Sequence, residues 1–299
     1  MASQLSGIPI AMLGCDQREV DLAVALVGCG ADLRLVGFPE QGELKRALHF
    51  ANAKEAVHDA KAIIAPMSNT DAAGWIRASM GSGEVAINLP EVLPLVPAKT
   101  PLLIGVARPV IKGLATQYDL TLVEMAEIDE IAILNSIPTA EGAIQVAMEN
   151  TAITIHRSRC LVLGLGRCGT TLAKTLVALG ARVTVASRSD ADLARAVVIN
   201  CEPLPLSALN TRTDFDIIFN TIPALVLPRS YLRLLDSESV IIDIASGPGG
   251  CDFIAAEQLG LRAIHALSLP GQVAPRTAAE ILINTIPHLL QKLLGEEIS

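Results

Sequence analysis

The chain has 299 residues, the length of two ordinary domains, and carries a formal net charge of −8. Its composition is 51% hydrophobic but only 3% aromatic, which predicts an aliphatic core of helices packed on a parallel sheet. The acidic balance and the lack of any Lys/Arg-rich run exclude a nucleic acid partner. No apolar stretch approaches the roughly 18 residues of a membrane-spanning helix, so we also expect no membrane segment.

The beginning of the chain and the cysteines indicate the compartment. No basic segment precedes the first apolar stretch, so it does not resemble a signal peptide, and we expect a cytoplasmic protein. The six cysteines are scattered, with neither a CxxC pair nor the Cys/His spacing of a metal site. They are interpreted as reduced thiols, and no metal is expected.

The first half alternates strand-like and helix-like segments. A helix over residues 18–28 follows the first aliphatic run, and this alternation predicts an open, parallel α/β sheet. The predicted strands are residues 8–13, 32–38, 61–66, 102–106 and 120–125.

The second half begins with a predicted helix that opens at residues 135–139, and the domain junction is placed there. Further predicted strands lie over 160–164, 182–187, 216–219 and 239–244, with a helix over 168–179. We therefore predict an N-terminal α/β domain over 1–137, a second α/β domain over 138–275, and a final helix over 276–299 that returns to the first domain.

A glycine pattern at the start of the second half predicts the cofactor. Gly164, Gly166 and Gly169 form GxGxxG between an aliphatic strand and an amphipathic helix. That context is typical of a Rossmann domain, a doubly wound parallel sheet that binds a dinucleotide. Backbone N–H groups hold the phosphates in such a turn, and Arg167 adds a charge; Leu165 and Cys168 complete the candidate segment. The alternative is a glycine-rich turn without a ligand.

The end of the strand predicted over 182–187, the second of this Rossmann domain, indicates which dinucleotide binds. Ser187, Arg188 and Ser189 stand where an NAD site usually carries an acidic residue for the ribose 2′-hydroxyl. A cation and two hydroxyls suit a 2′-phosphate, which favours NADP. The alternative is that Arg188 is a solvated surface residue and Asp190 serves the ribose.

Two further loops follow strands at the edge where open α/β sheets bind ligands. The first supplies Asn220, Thr221 and Pro223, which are expected to approach the nicotinamide half. The second spans residues 245–250 and is expected to approach the nicotinamide half as well, although a purely structural role is more plausible for it than for the first loop, since glycine and proline occur in many turns.

Three other segments, residues 66–71, 135–142 and 269–277, are candidates for the substrate site. Each of the first two is interpreted as a polar loop running into a helix start, a natural carboxylate site. Helix capping is the alternative for Ser68, Asn69 and Thr139, and helix-dipole stabilisation is the alternative for Glu141. The candidate substrate residues are Arg18, Ser68, Asn69, Thr70, Ser136, Thr139, Gly271 and Arg276, and Glu141 is the candidate base.

Several segments resemble the A subunit of dipicolinate synthase, in the same order along nearly the whole chain. They are residues 135–144 (NSIPTAEGAI), 161–169 (LVLGLGRCG), 242–253 (IDIASGPGGCDF) and 269–282 (LPGQVAPRTAAEIL). Cys251 departs from the threonine expected in that pattern.

The resemblance implies oxidation of dihydrodipicolinate, or its 4-hydroxy-tetrahydro precursor, to dipicolinate with NADP as hydride acceptor. It also implies a partner, a flavoprotein-like B subunit, in the mother cell of a sporulating bacterium. Arg18 and Arg276 are the cations expected to bind the carboxylates of this small dicarboxylate, and Glu141 is the expected base. Assembly into a homo-oligomer stays open.

Two alternatives stay open. One is an NADP-binding subunit without catalysis of its own, because candidate acid–base residues are few. The other is an enzyme resembling alanine or 2-hydroxy-acid dehydrogenases, although the His, Glu and Arg expected of the hydroxy-acid enzymes are not found in order.

Overall fold

A computed structural model of the protein describes residues 5–68, 70–78 and 85–295. The chain divides into two compact units. Unit 1 comprises Met1–Ala132 together with Pro275–Ser299, and unit 2 comprises Ile133–Ala274. The division falls between Ala132 and Ile133, a few residues before the junction expected from the sequence.

Unit 1 contains a parallel sheet of six described strands in the order β3-β2-β1-β4-β7-β8. Its central strands are aliphatic and almost fully buried, as expected for strands covered on both faces. A separate antiparallel pair, β5 and β6, was not predicted from the sequence. The strands are β1 Pro9–Leu13, β2 Asp32–Val36, β3 Leu48–His49, β4 Ala62–Ile64, β5 Trp75–Ala78, β6 Val85–Asn88, β7 Pro101–Ile104 and β8 Thr121–Glu124.

Unit 2 contains a second parallel sheet of six strands, in the order β11-β10-β9-β12-β13-β14. Numbered within the unit, this order is 3-2-1-4-5-6, which is that of a doubly wound dinucleotide-binding fold. The predicted α/β class with a C-terminal Rossmann sheet is confirmed. The strands are β9 Arg159–Leu163, β10 Arg182–Ser187, β11 Glu202–Pro205, β12 Ile217–Asn220, β13 Val240–Asp243 and β14 Arg262–His265.

Helices cover both faces of each sheet, and apolar clusters lie on either side of the strands. The helices are α1 Gln17–Gly28, α2 Ala53–Ala56, α3 Leu89–Val92, α4 Pro109–Gln117, α5 Asp129–Asn150, α6 Arg167–Ala178, α7 Asp190–Val198, α8 Arg229–Leu232, α9 Phe253–Gln258, α10 Leu269–Val273 and α11 Pro275–Gly295.

The last helix, α11, belongs to unit 1, as the sequence predicts. It buries Leu282, Ile286 and Leu290 in the same apolar cluster as Leu22 and Leu26 of α1. The predicted return of the chain end to the N-terminal domain is therefore confirmed.

The predicted start of α5 at residues 135–139 is wrong. The helix begins at Asp129, and Pro138 lies inside it. Asp129 and Glu130 suit the positive end of a helix dipole, so the earlier residues are a competent helix start. Proline is common in the first turn of a helix, but Pro138 is tolerated in the interior of α5 at the loss of one N–H donor.

The predicted helix start after β4 is also wrong. Among residues 65–68, 70–78 and 85–88 no helix begins, and the next helix is α3. The chain instead enters the β5–β6 hairpin, where Thr70 forms an isolated bridge with Ile76. Ser68 is therefore not a helix cap, and Asn69 lies outside the described residues.

Candidate functional site

Two glycines shape the turn between β9 and α6. Gly164 directly follows the strand with φ of +87°, a conformation that other residues rarely adopt. Gly169 lies in the first turn of α6, where an added Cβ would stand 2.2 Å from the Gly164 carbonyl oxygen. Helix and strand can therefore approach this closely only with glycine at both positions.

The remaining glycine of the turn, Gly166, faces open space. It is the residue before α6, has no side-chain cap, and shows no heavy atom within 4 Å of where its Cβ would lie. N–H groups in the first helical turn have no acceptor within the helix and stand at the positive end of its dipole. Leu165 is buried beneath the turn, and Arg167 and Cys168 are the first two residues of α6. This arrangement fits a dinucleotide pyrophosphate.

The two serines at the end of β10 are engaged in local hydrogen bonds. Ser187 donates its hydroxyl to Asp192 Oδ2 (3.0 Å) and accepts from the Ser189 N–H (3.2 Å). The Ser189 hydroxyl caps α7 by accepting from the Asp192 N–H (3.3 Å). Arg188 is exposed and forms no hydrogen bond or ion pair with any described residue, and Asp190 is exposed as well. The free cation at this position is therefore Arg188.

Asn220, at the end of β12, is fully buried, and its amide is satisfied inside the protein. Its Nδ2 donates to Asp243 Oδ1 (2.9 Å) and to the Ile222 carbonyl (3.0 Å). Its Oδ1 accepts from the Ile222 N–H (3.0 Å). The side chain therefore fixes the loop after β12.

Thr221 supports the glycine turn from the next strand. Its hydroxyl donates to the Leu163 carbonyl (2.8 Å) and lies 2.7 Å from where a Cβ on Gly164 would stand. Pro223 is exposed on the same loop. Asn220 and Thr221 thus support the site through hydrogen bonds inside the protein, whereas Pro223 is exposed to solvent.

Asp243, which the sequence analysis did not select, organises the loop after β13. It is fully buried, and its carboxylate accepts from the N–H groups of Ala245 (3.0 Å), Gly250 (2.7 Å) and Cys251 (3.0 Å), as well as from Asn220. The signal that could have identified it is an acidic residue at the end of an aliphatic strand, where burial is expected to require several hydrogen-bond partners.

Cys251 and His265, two further reactive residue types near this loop, have structural surroundings. Burial raises the pKa of the Cys251 thiol to about 12, so it carries no thiolate at neutral pH. A ring nitrogen of His265 lies 3.0 Å from the Ala245 carbonyl, and its ring stacks on Phe253 with centroids 5.2 Å apart.

A polar cluster lies in unit 1, where β1 and β4 end side by side. Arg18 is only 4% exposed; its Nη2 donates to Asp16 Oδ2 (2.5 Å) and to Ser68 Oγ (2.8 Å). Glu19 is 1% exposed and accepts from the N–H groups of Asp16 (2.8 Å) and Met67 (2.9 Å). Arg18 is therefore not a solvated residue, and the cluster ties the start of α1 to the loop after β4.

The charges of this cluster are balanced internally. Although burial acts in the opposite direction, the hydrogen bonds from Arg18 hold the pKa of the Asp16 carboxyl below its ordinary value. Burial, together with the neighbouring Asp16 charge, raises the pKa of Glu19 to about 7. Arg18 is thus neutralised by Asp16, which limits what it can offer to a second anion.

The 135–142 segment lies well inside α5. Ser136 is fully buried, and its hydroxyl donates to the Ile133 carbonyl (2.6 Å) and lies 2.6 Å from Thr171 Oγ1 on α6. Thr139 donates to the Asn135 carbonyl (2.7 Å), four residues earlier, and does not cap a helix.

Glu141 is exposed on α5, beside an apolar groove that Met148 and Leu179 also line. The prediction that Glu141 sits in the first turn of its helix is wrong, because that turn begins at Asp129. Glu141 therefore lacks the helix-start position on which its predicted role as the base depended.

The predicted 269–277 segment comprises α10 and the first residues of α11. Gly271 lies in α10, which packs against α5 so closely that a Cβ on Gly142 would stand 3.1 Å from Leu269. Arg276 is exposed in the first turn of α11. The two residues thus belong to different units.

Within the described ranges, no group of three or more His, Cys, Asp or Glu side chains could hold a metal ion. None of the described helices combines the length and apolar character needed to cross a membrane.

Unit 2 has a doubly wound sheet in which β9 and β12 are neighbours, and the open glycine turn follows β9 at this point. The strand order reverses there, and this is the position at which such folds bind nucleotides. Residues 151–257 match a family described as putative NAD(P)-binding. The fold and the site therefore define a nicotinamide-binding oxidoreductase.

Residues 9–126 match the N-terminal domain of the A subunit of dipicolinate synthase. The chain is 38% identical over 295 residues, 98% of its length and 99% of the relative's, to the A subunit of dipicolinate synthase from Bacillus subtilis (strain 168). A crystal structure of the Bacillus subtilis A chain has a TM-score of 0.87 at 38% identity, covering 98% of each chain. The crystal structure of the A subunit from Bacillus halodurans has a TM-score of 0.88 at 34% identity, covering 96% of this chain and 98% of that one. The chain belongs to the family of dipicolinate synthase A subunits.

Proposed function

We propose that this chain oxidises dihydrodipicolinate, or its 4-hydroxy-tetrahydro precursor, to dipicolinate with NADP as the acceptor. The observation that carries the proposal is the 38% identity along the whole chain to the A subunit of a dipicolinate synthase, combined with the glycine turn of unit 2. Under the same proposal the protein works in the cytoplasm of the mother cell during sporulation, together with a flavoprotein-like B subunit.

The reaction removes a hydride and a proton from the dihydropyridine ring and leaves an aromatic pyridine. NADP, when bound, supplies the hydride acceptor. From the 4-hydroxy-tetrahydro form, one water is lost as well. Because aromaticity favours the product, the protein needs mainly to position its ligands and to accept one proton.

The chain's own residues act in this proposal chiefly by positioning. The backbone around Gly166 holds the pyrophosphate, and the buried Asp243 keeps the loop over 245–251 in one conformation against the loop after β12. In unit 1 the Arg18 and Glu19 cluster fixes the loop after β4 in the same way. Glu141 is not carried forward as the base, because its predicted place at a helix start is wrong.

The specificity for NADP rests on Arg188. Arg188→Asp is expected to weaken NADPH binding by about 10–100-fold, because a charge-assisted hydrogen bond to the 2′-phosphate is worth roughly 1.5–3 kcal/mol. It should also bring NADH binding closer to NADPH binding. Titration of cofactor fluorescence measures both.

The matched control for Arg188→Asp is Arg182→Asp, the same charge reversal at an exposed residue at the opposite end of β10. It should leave both affinities within about 2-fold, since a screened surface charge acts weakly at a distance. Tighter NADH than NADPH binding by the unmodified chain would contradict NADP specificity.

The reaction itself is tested by mixing the purified chain with freshly generated dihydrodipicolinate and NADP⁺, with and without the B subunit. NADPH should form in step with dipicolinate when both subunits are present. Dipicolinate formation without NADPH would contradict the proposed role of this chain. Full turnover by the isolated chain would show that the B subunit is dispensable.

A further inference from the structure

A further arginine of unit 1 lies in the loop after β7. Arg108 stands between β7 and α4 and is half-buried. Its Nε donates to the Thr70 carbonyl (3.2 Å), and the part of the chain that the structure describes offers no partner to its two terminal nitrogens. It therefore presents a forked cationic donor at the carboxyl edge of the sheet, the edge at which such sheets bind ligands.

The backbone that carries this arginine is held rigidly. A Cβ on Gly105 would lie 2.0 Å from the Met67 carbonyl oxygen, so the loops after β4 and β7 are in direct backbone contact. The Ala107 N–H donates to Glu124 Oε1 (2.9 Å) on the other side. Because Arg108 is fixed between two loops, binding an anion costs it little ordering entropy.

A buried hydroxyl lies next to it. Thr70, whose carbonyl holds Arg108, is only 8% exposed, and its Oγ1 has no hydrogen-bond partner among the described residues. Buried hydroxyls ordinarily have a hydrogen-bond partner. The Thr70 hydroxyl has none, and an oxygen atom of a bound ligand could accept its hydrogen bond. Two residues earlier, Ser68 is held by Arg18. The loop therefore lies between a paired arginine and an arginine with free nitrogens.

The other two candidate cations are less suited than Arg108 to bind an anion, Arg18 because it is already paired and Arg276 because solvent screens its exposed charge. Arg18 already hydrogen-bonds both carboxylate oxygens of Asp16 and is buried. Arg276 is exposed in the first turn of α11. An ion pair that is already formed adds little attraction for a second anion, whereas an unpaired guanidinium offers its full charge and two parallel donors.

We propose that Arg108 binds a carboxylate of the substrate through its two terminal nitrogens, and that Thr70 Oγ1 donates to the same carboxylate. Arg18 then acts as a positioning residue that holds Ser68 and the loop after β4. This inference rests on the proposed function, since it assumes a small dicarboxylate as substrate, and it replaces Arg18 and Arg276 as the cations that contact it.

The test is calorimetric titration of the full chain with pyridine-2,6-dicarboxylate, with and without saturating NADP⁺. Arg108→Gln is expected to raise the Kd by about 10–100-fold, and Arg108→Lys by less, because lysine keeps the charge but loses the forked geometry. Thr70→Val should raise it by about 3–10-fold. The midpoint of thermal unfolding checks that each variant is folded.

Lys112→Gln is the matched control, because it removes a positive charge from the same helix at an exposed side chain paired with Glu124. It should change the Kd by less than about 2-fold. If Arg108→Gln binds as tightly as the unmodified chain, or is weakened no more than Lys112→Gln, direct binding by Arg108 is wrong while the proposed function stands. If the unmodified chain binds no pyridine-2,6-dicarboxylate, both proposals are wrong.

Discussion

Gly166→Val is expected to lose most of the affinity for NADPH while the fold stays intact. The backbone at Gly166 is extended, with φ of −74° and ψ of −161°, which any residue adopts. Apart from its chain neighbours, no heavy atom lies within 4 Å of the added Cβ, so the substitution begins in open space. In the proposed complex that space belongs to the pyrophosphate, so the new methyl groups would displace it.

The expected loss is about 100-fold in affinity for Gly166→Val and about 10-fold for Gly166→Ala, which corresponds to about 2.7 and 1.4 kcal/mol. The midpoint of thermal unfolding should move by less than about 2 °C, as for other substitutions that strain nothing. Fluorescence titration with NADPH and a thermal melt measure the two effects on the same sample.

Two other glycines serve as controls. Gly113→Ala, inside α4 of unit 1, also meets open space; it should raise stability by up to about 1 kcal/mol and leave NADPH binding unchanged. Gly169→Ala places a Cβ 2.2 Å from a backbone oxygen and should lower both stability and binding. If Gly166→Val bound NADPH normally, the turn would not be the pyrophosphate site.

Most strands of the two parallel sheets could be predicted, because the sequence signals of a buried strand are local. Each central strand is a short aliphatic run bounded by glycine, proline or polar residues, and the glycine turn after β9 depends on residues that are neighbours in sequence. The two-residue β3, the four-residue β11 and the β5–β6 hairpin were missed, since two to four residues of ordinary composition carry no periodic signal.

The start of α5 shows how two local signals can compete. Asn135, Pro138 and Thr139 have the residue types of a helix start, but Asp129 and Glu130 offer an equally good one six residues earlier. The hydroxyl of Thr139, which would have capped the later start, hydrogen-bonds a carbonyl inside the helix instead. The choice is made by burial of Ile131 and Ser136, which one sequence does not display.

Buried carboxylates were the main residues missed. Glu19 and Asp243 follow or end strands, as surface acids often do, and only the fold shows that they are less than 2% exposed. Their partners include backbone N–H groups of loops, 48 residues away for Glu19 and 7 residues away for Asp243, and such groups leave no mark in the sequence. Arg108 was missed for the same reason, because its neighbour Thr70 is 38 residues away.

Asp243→Asn is expected to destabilise unit 2 strongly, although it exchanges a single side-chain atom. The carboxylate accepts four hydrogen bonds, from Asn220 and from the N–H groups of Ala245, Gly250 and Cys251. An amide has only one acceptor atom, so its NH₂ group must face donors that it cannot satisfy.

If the asparagine oxygen keeps the partners of Oδ1, the N–H groups of Gly250 and Cys251 lose their acceptor in a fully buried site. Each unsatisfied buried donor costs about 1–3 kcal/mol, so the total loss is about 2–6 kcal/mol. For a domain of this size that corresponds to a fall of roughly 5–20 °C in the unfolding midpoint. The loop over 245–251 should become mobile first, and hydrogen exchange at Gly250 and Cys251 reports that directly.

Asp252→Asn is the matched control for Asp243→Asn, because it makes the same exchange in the same segment. Asp252 caps α9 through one hydrogen bond from the Ala255 N–H (2.9 Å), and asparagine caps equally well. This control should shift the unfolding midpoint by less than about 2 °C. If Asp243→Asn behaved like Asp252→Asn, with hydrogen exchange at Gly250 and Cys251 unchanged, the buried carboxylate would not be what holds this loop. The loop over 245–251 would then need another support, and Asn220, which contacts both Asp243 and the chain after β12, would be the residue to substitute next.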